Sequence, residues 1–217
     1  MTTLAALALL MWVVFPLLKV SAQAGESSSA ADAAALAGAQ RVREAALDAV
    51  RTLPVGTTLG SALPPSVGIE AAAQYAERNG TRVVPGSYRA DLGRDRVRVQ
   101  VELPEAGETS TYRSAEAQVG VWLDRCTLGR QRVIVGYQPP PTPTPTPTPS
   151  PSPSPTATPS PTPPPPPIPI YGWHHTFTCR SDSGATLVSF GPDPSADTVR
   201  TAMRSWLDGR LTPALVQ

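Results

Sequence analysis

The chain has 217 residues, of which 27 are proline, and its formal net charge at pH 7 is +1. This near-neutral charge argues against a nucleic-acid partner, because binding to phosphates needs a basic surface that displaces counterions. Most of the prolines lie between residues 139 and 169, where they prevent a packed core. The rest of the sequence is long enough for one modest domain.

The N-terminal segment, residues 2 to 18, is almost wholly apolar and contains no charged side chain. A helix rises about 1.5 Å per residue, so this segment continued to Val20 nearly spans the ~30 Å hydrocarbon core of a bilayer. Lys19 can reach up to the headgroups. We therefore predict a single-pass membrane anchor at residues 1–21, with the bulk of the chain on the extracytoplasmic side.

Two other interpretations of the N-terminus remain open. Ala22 and Ala24 form the small-residue A-x-A pattern that precedes a secretory cleavage site, which would fall between Ala24 and Gly25. Cleavage there would release the chain as a secreted protein, whereas a buried helix would leave it soluble. The anchor and the cleaved signal both place the remainder of the chain outside the cytoplasm.

An alanine-rich segment follows, and its strong helix formers predict a helix from residue 30 to residue 52. The serine run at residues 27–29 can cap its first turn. Apolar residues recur at three- and four-residue spacing, so the helix should carry a narrow stripe of small side chains. This stripe can pack against other helices or against the protein's own domain. It consists of Leu36, Ala39, Val42, Ala46 and Val50.

The decapeptide at residues 30–39, AADAAALAGA, resembles the segment that follows the membrane helix in TadE/TadG-like pseudopilins of tight-adherence (Flp) pili. A second alanine-rich helix candidate, closed by Asn79 and Gly80, extends the similarity over roughly residues 4–121. The resemblance implies a pilin-like topology and a role in pilus assembly or secretion. It also implies that the N-terminal helix contacts the lipid bilayer and other pilus or secretion proteins. The motif residues are Ala31, Asp32, Ala33, Leu36 and Gly38.

Two segments with period-two alternation predict neighbouring antiparallel strands. Residues 96 to 103 place apolar side chains on one face and polar ones on the other, and residues 114 to 121 repeat the pattern. One face of each strand should therefore be buried. Shorter strands are predicted at residues 83–84, 133–135, 171–178 and 186–190.

Two further helices complete the expected domain. One spans residues 66 to 78 and ends at Gly80. The other begins at Asp193 as N-cap, has Pro194 in its first turn and ends before Gly209. The predicted fold class is α+β: a long N-terminal helix, made of the membrane segment and its alanine-rich extension, packs on a small antiparallel sheet that the C-terminal helix closes. The C-terminal helix should face the sheet with Val199, Met203, Trp206 and Leu207.

Residues 139–169 alternate proline with serine and threonine, so we predict a disordered, extended insertion of polyproline II type. Fully stretched, it would reach ~96 Å, towards the cell wall or a partner. The residues after it, 170–217, are too few for an independent core, and we therefore assign them to the same domain as residues 22–138. The serines and threonines also suit O-glycosylation.

The two cysteines lie on either side of this insertion. If the flanking strands pair, Cys126 and Cys179 face each other, and we predict that they form a disulfide at the base of the insertion. Free thiols, or a metal or catalytic site, are the alternatives. The adjacent His174 and His175 should point to opposite faces of a strand, which makes them a poor chelating pair.

No nucleotide-binding, hydrolase or zinc-protease motif is present in the sequence. A nucleophilic pair of Cys179 and His175 would lack a third, orienting group. We therefore expect no enzyme, no cofactor and no metal. The expected function is that of a pseudopilin-like component of a pilus-assembly or secretion apparatus. The alternative is an adhesive or cell-wall-binding module unrelated to pili.

Overall fold

A computed structural model describes residues 28–103, 110–140, 165–181 and 184–216. This part of the chain has an α+β fold, as expected, with three α-helices and two antiparallel sheets. The predicted anchor, the cleavage site at Ala24 and Gly25, and residues 141–164 of the predicted disordered insertion lie outside the described residues. Within the described ranges, none of the helices combines the length and the apolar character needed to cross a bilayer.

Helix α1 is described from residue 28 to residue 49 and continues into a 3-10 turn at Val50–Thr52. The serines at positions 28 and 29 are already helical, so neither is the N-cap that the sequence indicated. The expected stripe is buried except at its first member, because Leu36 lies on the exposed side of the helix. The α1 residues that belong to the core cluster are Ala31, Ala34, Ala35, Ala39, Val42, Ala46, Leu47 and Val50.

The first sheet packs against α1 and contains five strands. The two alternating segments pair as expected, with Val99 opposite Ala115 in an antiparallel register. The second of them ends three residues early, because the carboxylate of Asp95 accepts hydrogen bonds from the N–H groups of Val119 and Gly120, both at 2.6 Å. The strands are β1 Arg82–Val83, β2 Arg89–Asp91, β3 Arg96–Leu103, β4 Thr111–Gln118 and β8 Ala214–Leu215. Their order in the sheet is β1-β3-β4-β8, and β2 also pairs with β3.

A second antiparallel sheet takes the place of three of the predicted short strands, those at residues 133–135, 171–178 and 186–190. Its strands are β5 Trp122–Gln138, β6 Ile168–Ser181 and β7 Gly184–Pro192, and they pair in the order β5-β6-β7. The expectation of a single small sheet is therefore wrong. Beyond the core these strands are exposed on both faces, which removes the alternation that would have revealed their length.

Helix α2 spans Ile69–Arg78, and helix α3 spans Ala196–Asp208. The predicted N-cap of α3 is wrong by two residues: the Ser195 hydroxyl accepts a hydrogen bond from the Thr198 N–H at 3.1 Å. The predicted inner face of α3 is confirmed, since Val199, Met203 and Leu207 are buried and Trp206 is partly buried against the core. The Trp206 ring meets Phe177 of β6 edge-on, with centroids 5.7 Å apart.

Candidate functional site

The paired strands β5 and β6 form a hairpin that extends well past the protein core. Gln138 lies opposite Ile168, and the pairing continues down to Thr127 and Thr178. Residues 139–167 connect the two strands at the tip. At the other end, loop backbone covers the outer edge of β5, where the Gly56 N–H donates to the Leu128 carbonyl at 2.8 Å. We call residues 129–138 and 168–176 the hairpin arm.

The predicted disulfide between Cys126 and Cys179 is confirmed, and it lies at the base of the hairpin arm. Both cysteines are fully buried. The bond closes a loop with a sequence separation of 53, which contains the whole arm and the proline-rich segment. Because both sulfurs are used in the disulfide, a free thiol or a Cys179 nucleophile is excluded in this state.

One face of the hairpin arm carries aromatic and arginine side chains stacked on each other. Side chains alternate along β6, so Tyr171 and Trp173 share the face of the buried Phe177. The guanidinium carbon of Arg130 lies 4.6 Å from the centroid of the Trp173 ring, and that of Arg132 lies 4.0 Å from the Tyr171 ring. Such cation–π stacks are worth about 0.5–1 kcal/mol at exposed sites. We call Arg130, Arg132, Tyr137, Tyr171 and Trp173 the aromatic–arginine face.

The opposite face of the arm is also apolar and exposed, with Val135, Ile168 and Ile170 at its surface. Both edges of the arm are poor templates for strand pairing. A β-bulge interrupts β5 between Ile134 and Gly136, and Pro169 has no N–H to offer on β6. A partner would therefore bind the arm through side chains on its faces rather than by adding a strand.

The arm has cationic side chains and, among its described residues, no acidic ones. Asp193, just after β7, is the acid that contacts it, where its carboxylate accepts a hydrogen bond from the Trp173 N–H at 2.8 Å. Arg130 and Arg132 have no carboxylate partner in the described ranges of the chain. Their N–H groups are therefore available to a ligand.

The two histidines lie at the root of the arm on opposite faces, as predicted. His174 Nε2 is 2.7 Å from the Ser189 hydroxyl. His175 lies between Arg130 of β5 and Phe190 of β7, where its Nδ1 is buried with no hydrogen-bond partner in the described part of the chain. Both imidazoles are half-buried. No group of three or more metal-binding side chains occurs among the described residues.

The family-motif residues lie on α1, far along the chain from the arm, and only some are buried. Ala31 is buried, Asp32 and Ala33 are half-buried, and Leu36 lines a shallow depression between α1 and α2 beside Tyr75. Ala31 belongs to the same buried core cluster as the disulfide-bonded Cys126 and Cys179.

Gly38 has the clearest structural role within this motif. A Cβ atom at this position would lie 3.0 Å from the Tyr88 ring and 3.1 Å from Val97 of β3. Tyr88 is held there by the hydrogen bond that its hydroxyl donates to the Val67 carbonyl at 2.6 Å. Burial raises the pKa of Tyr88 well above its ordinary value, so the hydroxyl remains a donor.

The aromatic–arginine face was not predicted from the sequence. The signal was present as two pairs at i, i+2 spacing, Arg130 with Arg132 and Tyr171 with Trp173, which place like side chains on one face of each strand. What the sequence lacked was the register that puts Arg132 opposite Trp173. Tyr88 was missed because a single buried tyrosine in a loop has no pattern.

Comparison of the chain with protein-family models, with curated proteins and with solved structures gave no match.

Proposed function

We propose that the chain is a membrane-anchored, extracytoplasmic component of a pilus-assembly or secretion apparatus, similar to TadE/TadG-like pseudopilins, and that it acts by binding rather than by catalysis. The observation that carries this proposal is the buried disulfide between Cys126 and Cys179. Such bonds persist in oxidising compartments outside the cytoplasm. The apolar residues 2–18 supply a route to that compartment, either as an anchor or as a cleaved signal.

The geometry supports a binding role because the hairpin arm places exposed apolar and cationic side chains away from the core. In this proposal α1 contacts the bilayer-proximal partners, through the depression beside Leu36 and Tyr75. The arm faces outward. Nothing in this role needs a bond to be made or broken.

An adhesive or wall-binding module unrelated to pili is the second candidate. The stacked arginine and aromatic side chains on the arm favour it, since such surfaces also bind polymers in extended conformations. This second role would need the same export route and the same disulfide. It differs in its partner, which would be wall material rather than a membrane protein.

Membrane fractionation with intact-mass measurement of the mature chain tests the proposal. An anchored chain stays in the membrane fraction at full mass, less ~2 Da for the disulfide hydrogens. A soluble cytosolic chain with both thiols reduced would refute both candidates. A photo-cross-linker at Leu36, with Gln131 as control position, then separates them: cross-links from Leu36 to a pilus or secretion membrane protein support the first. Sedimentation of the chain with purified cell wall, without such cross-links, supports the second.

A further inference from the structure

The aromatic–arginine face combines flat apolar surfaces with hydrogen-bond donors. A guanidinium has N–H donors and no acceptor, an indole has one N–H, and a phenol can donate its O–H. Stacking of Arg130 on Trp173 and of Arg132 on Tyr171 holds the two guanidinium groups in place without a carboxylate partner in the described residues. This surface suits a ligand with many acceptors, few donors and apolar rings.

A proline-rich chain has this chemistry. Proline has no N–H, so a chain rich in it offers carbonyl acceptors with few donors of its own. The polyproline II conformation makes no internal hydrogen bonds, and it docks on aromatic surfaces at low entropic cost because it is already extended. Residues 141–164 of this chain consist of proline, serine, threonine and one alanine, Ala157, with no charged side chain.

The area of the face argues for a tethered ligand rather than a second copy of the chain. Tyr137, Tyr171 and Trp173 are 60%, 48% and 42% exposed. At about 200 Å² for each full aromatic side chain, they offer roughly 300 Å². A stable complex of two proteins buries roughly 800 Å² on each partner, so these three rings alone are too small to hold a second copy. A ligand on the same chain has an effective concentration in the millimolar range, and a weak site is then sufficient.

The connecting chain begins and ends at the tip of the arm and is long enough to reach the face. Residues 139–167 join Gln138 to Ile168. A polyproline II chain of this many residues, at ~3.1 Å per residue, would measure ~90 Å. The arm from Ile168 to His175 is ~26 Å long at about 3.3 Å per residue, so the chain can run down the face and return to the tip.

We propose that the proline-rich segment, residues 141–164, binds the aromatic–arginine face of its own hairpin arm. Proline rings pack on Tyr171 and Trp173, and the N–H groups of Arg130 and Arg132 donate to backbone carbonyls of the segment. The proposal does not depend on the pilus-related function, because it concerns only contacts within one chain. In this arrangement the segment covers the arm instead of reaching outward.

Paramagnetic broadening in the full chain tests the proposal. A nitroxide is attached to an Ala157→Cys variant, where the native cysteines are protected because both are buried in their disulfide. The indole N–H signals of the four tryptophans are recorded on ¹⁵N-labelled protein. The Trp173 signal should be lost, while that of Trp122, at the disulfide end of β5, is retained and serves as the internal reference.

Two variants distinguish binding from mere proximity. Replacement of residues 141–164, apart from the labelled position, by a glycine–serine chain of equal length keeps the tether and removes the proline chemistry, so the Trp173 signal should return. Tyr171→Ser should restore it as well, whereas Leu187→Ser, an exposed residue on the other face of the sheet, should not.

Equal broadening of Trp173 in the glycine–serine chain, or its persistence in Tyr171→Ser, would overturn the proposal. Binding to a second copy is tested with a mixture of two chains: one carries the nitroxide at natural isotope abundance, and the other is enriched in ¹⁵N and carries no nitroxide. Broadening of Trp173 in that mixture, instead of in the single chain, would show that the segment binds between molecules and would refute the intramolecular version.

Discussion

Removal of the disulfide should destabilise the domain by an amount that depends only weakly on the proline-rich segment. The perturbation is the double variant Cys126→Ala, Cys179→Ala. The bond closes a loop with a sequence separation of 53, for which the chain-entropy relation gives a stabilisation of about 4 kcal/mol. That is a large fraction of the ~5–15 kcal/mol by which domains are stable.

The same relation makes a second, sharper estimate. Replacing residues 139–167 by a four-residue turn such as Gly-Asn-Gly-Ser shortens the closed loop by about half, which lowers the disulfide's contribution by only about 0.5 kcal/mol. This replacement keeps Ile168 and Pro169, which pair with Gln138 and Tyr137 and so belong to the arm. The small cavities left by the alanines are the same in both backgrounds and cancel in the comparison.

Urea unfolding of the four chains, followed by circular dichroism in one detergent buffer, measures both quantities. With an m-value of ~2 kcal/mol/M, the disulfide-free variant should unfold about 2 M urea earlier than its parent in either background. A shift below about 0.5 M, or a disulfide contribution that nearly vanishes in the short-loop background, would refute the loop-entropy reasoning.

Three further substitutions test the packing of α1 and the start of α3. Gly38→Ala should lower the free energy of unfolding by about 1 kcal/mol, because crowding of the new methyl group against the buried Tyr88 and Val97 outweighs the gain in helix propensity. Ala37→Ser on the same helix is the control. A Gly38→Ala chain that is more stable than its parent would show that Gly38 is not in close contact with Tyr88 and Val97. The pKa of Tyr88 is higher in the folded state than in the unfolded state, so the free energy of unfolding should fall as the pH rises above about 10. Tyr88→Phe should weaken this fall in urea melts recorded at several pH values. Ser195→Ala should lower the free energy of unfolding by about 1 kcal/mol in thermal melts, because the N-cap of α3 is lost. If Asp193→Ala lowers the helix content as much as Ser195→Ala does, the N-cap is misassigned.

Part of the fold was predictable because it depends on local patterns. Alternation located the β3–β4 pair, and three- and four-residue spacing located the buried stripe of α1 from Ala39 onward. The position of the cysteines on either side of the proline-rich segment predicted their disulfide, since flanking strands that pair bring Cys126 and Cys179 together. In each case the residues that define the pattern are the ones that are buried.

Only the tertiary structure determined the exposed features, because no pattern of buried residues indicates them in the sequence. The hairpin arm is exposed on both faces, so its strands lack alternation. The strands predicted at residues 133–135 and 171–178 were therefore shorter than β5 and β6 are. The aromatic–arginine face exists because a cross-strand register places Arg132 opposite Trp173. Strand register depends on residues that are distant in the sequence. Composition and periodicity therefore determined the core, whereas only the folded chain determined which side chains meet on the protein surface.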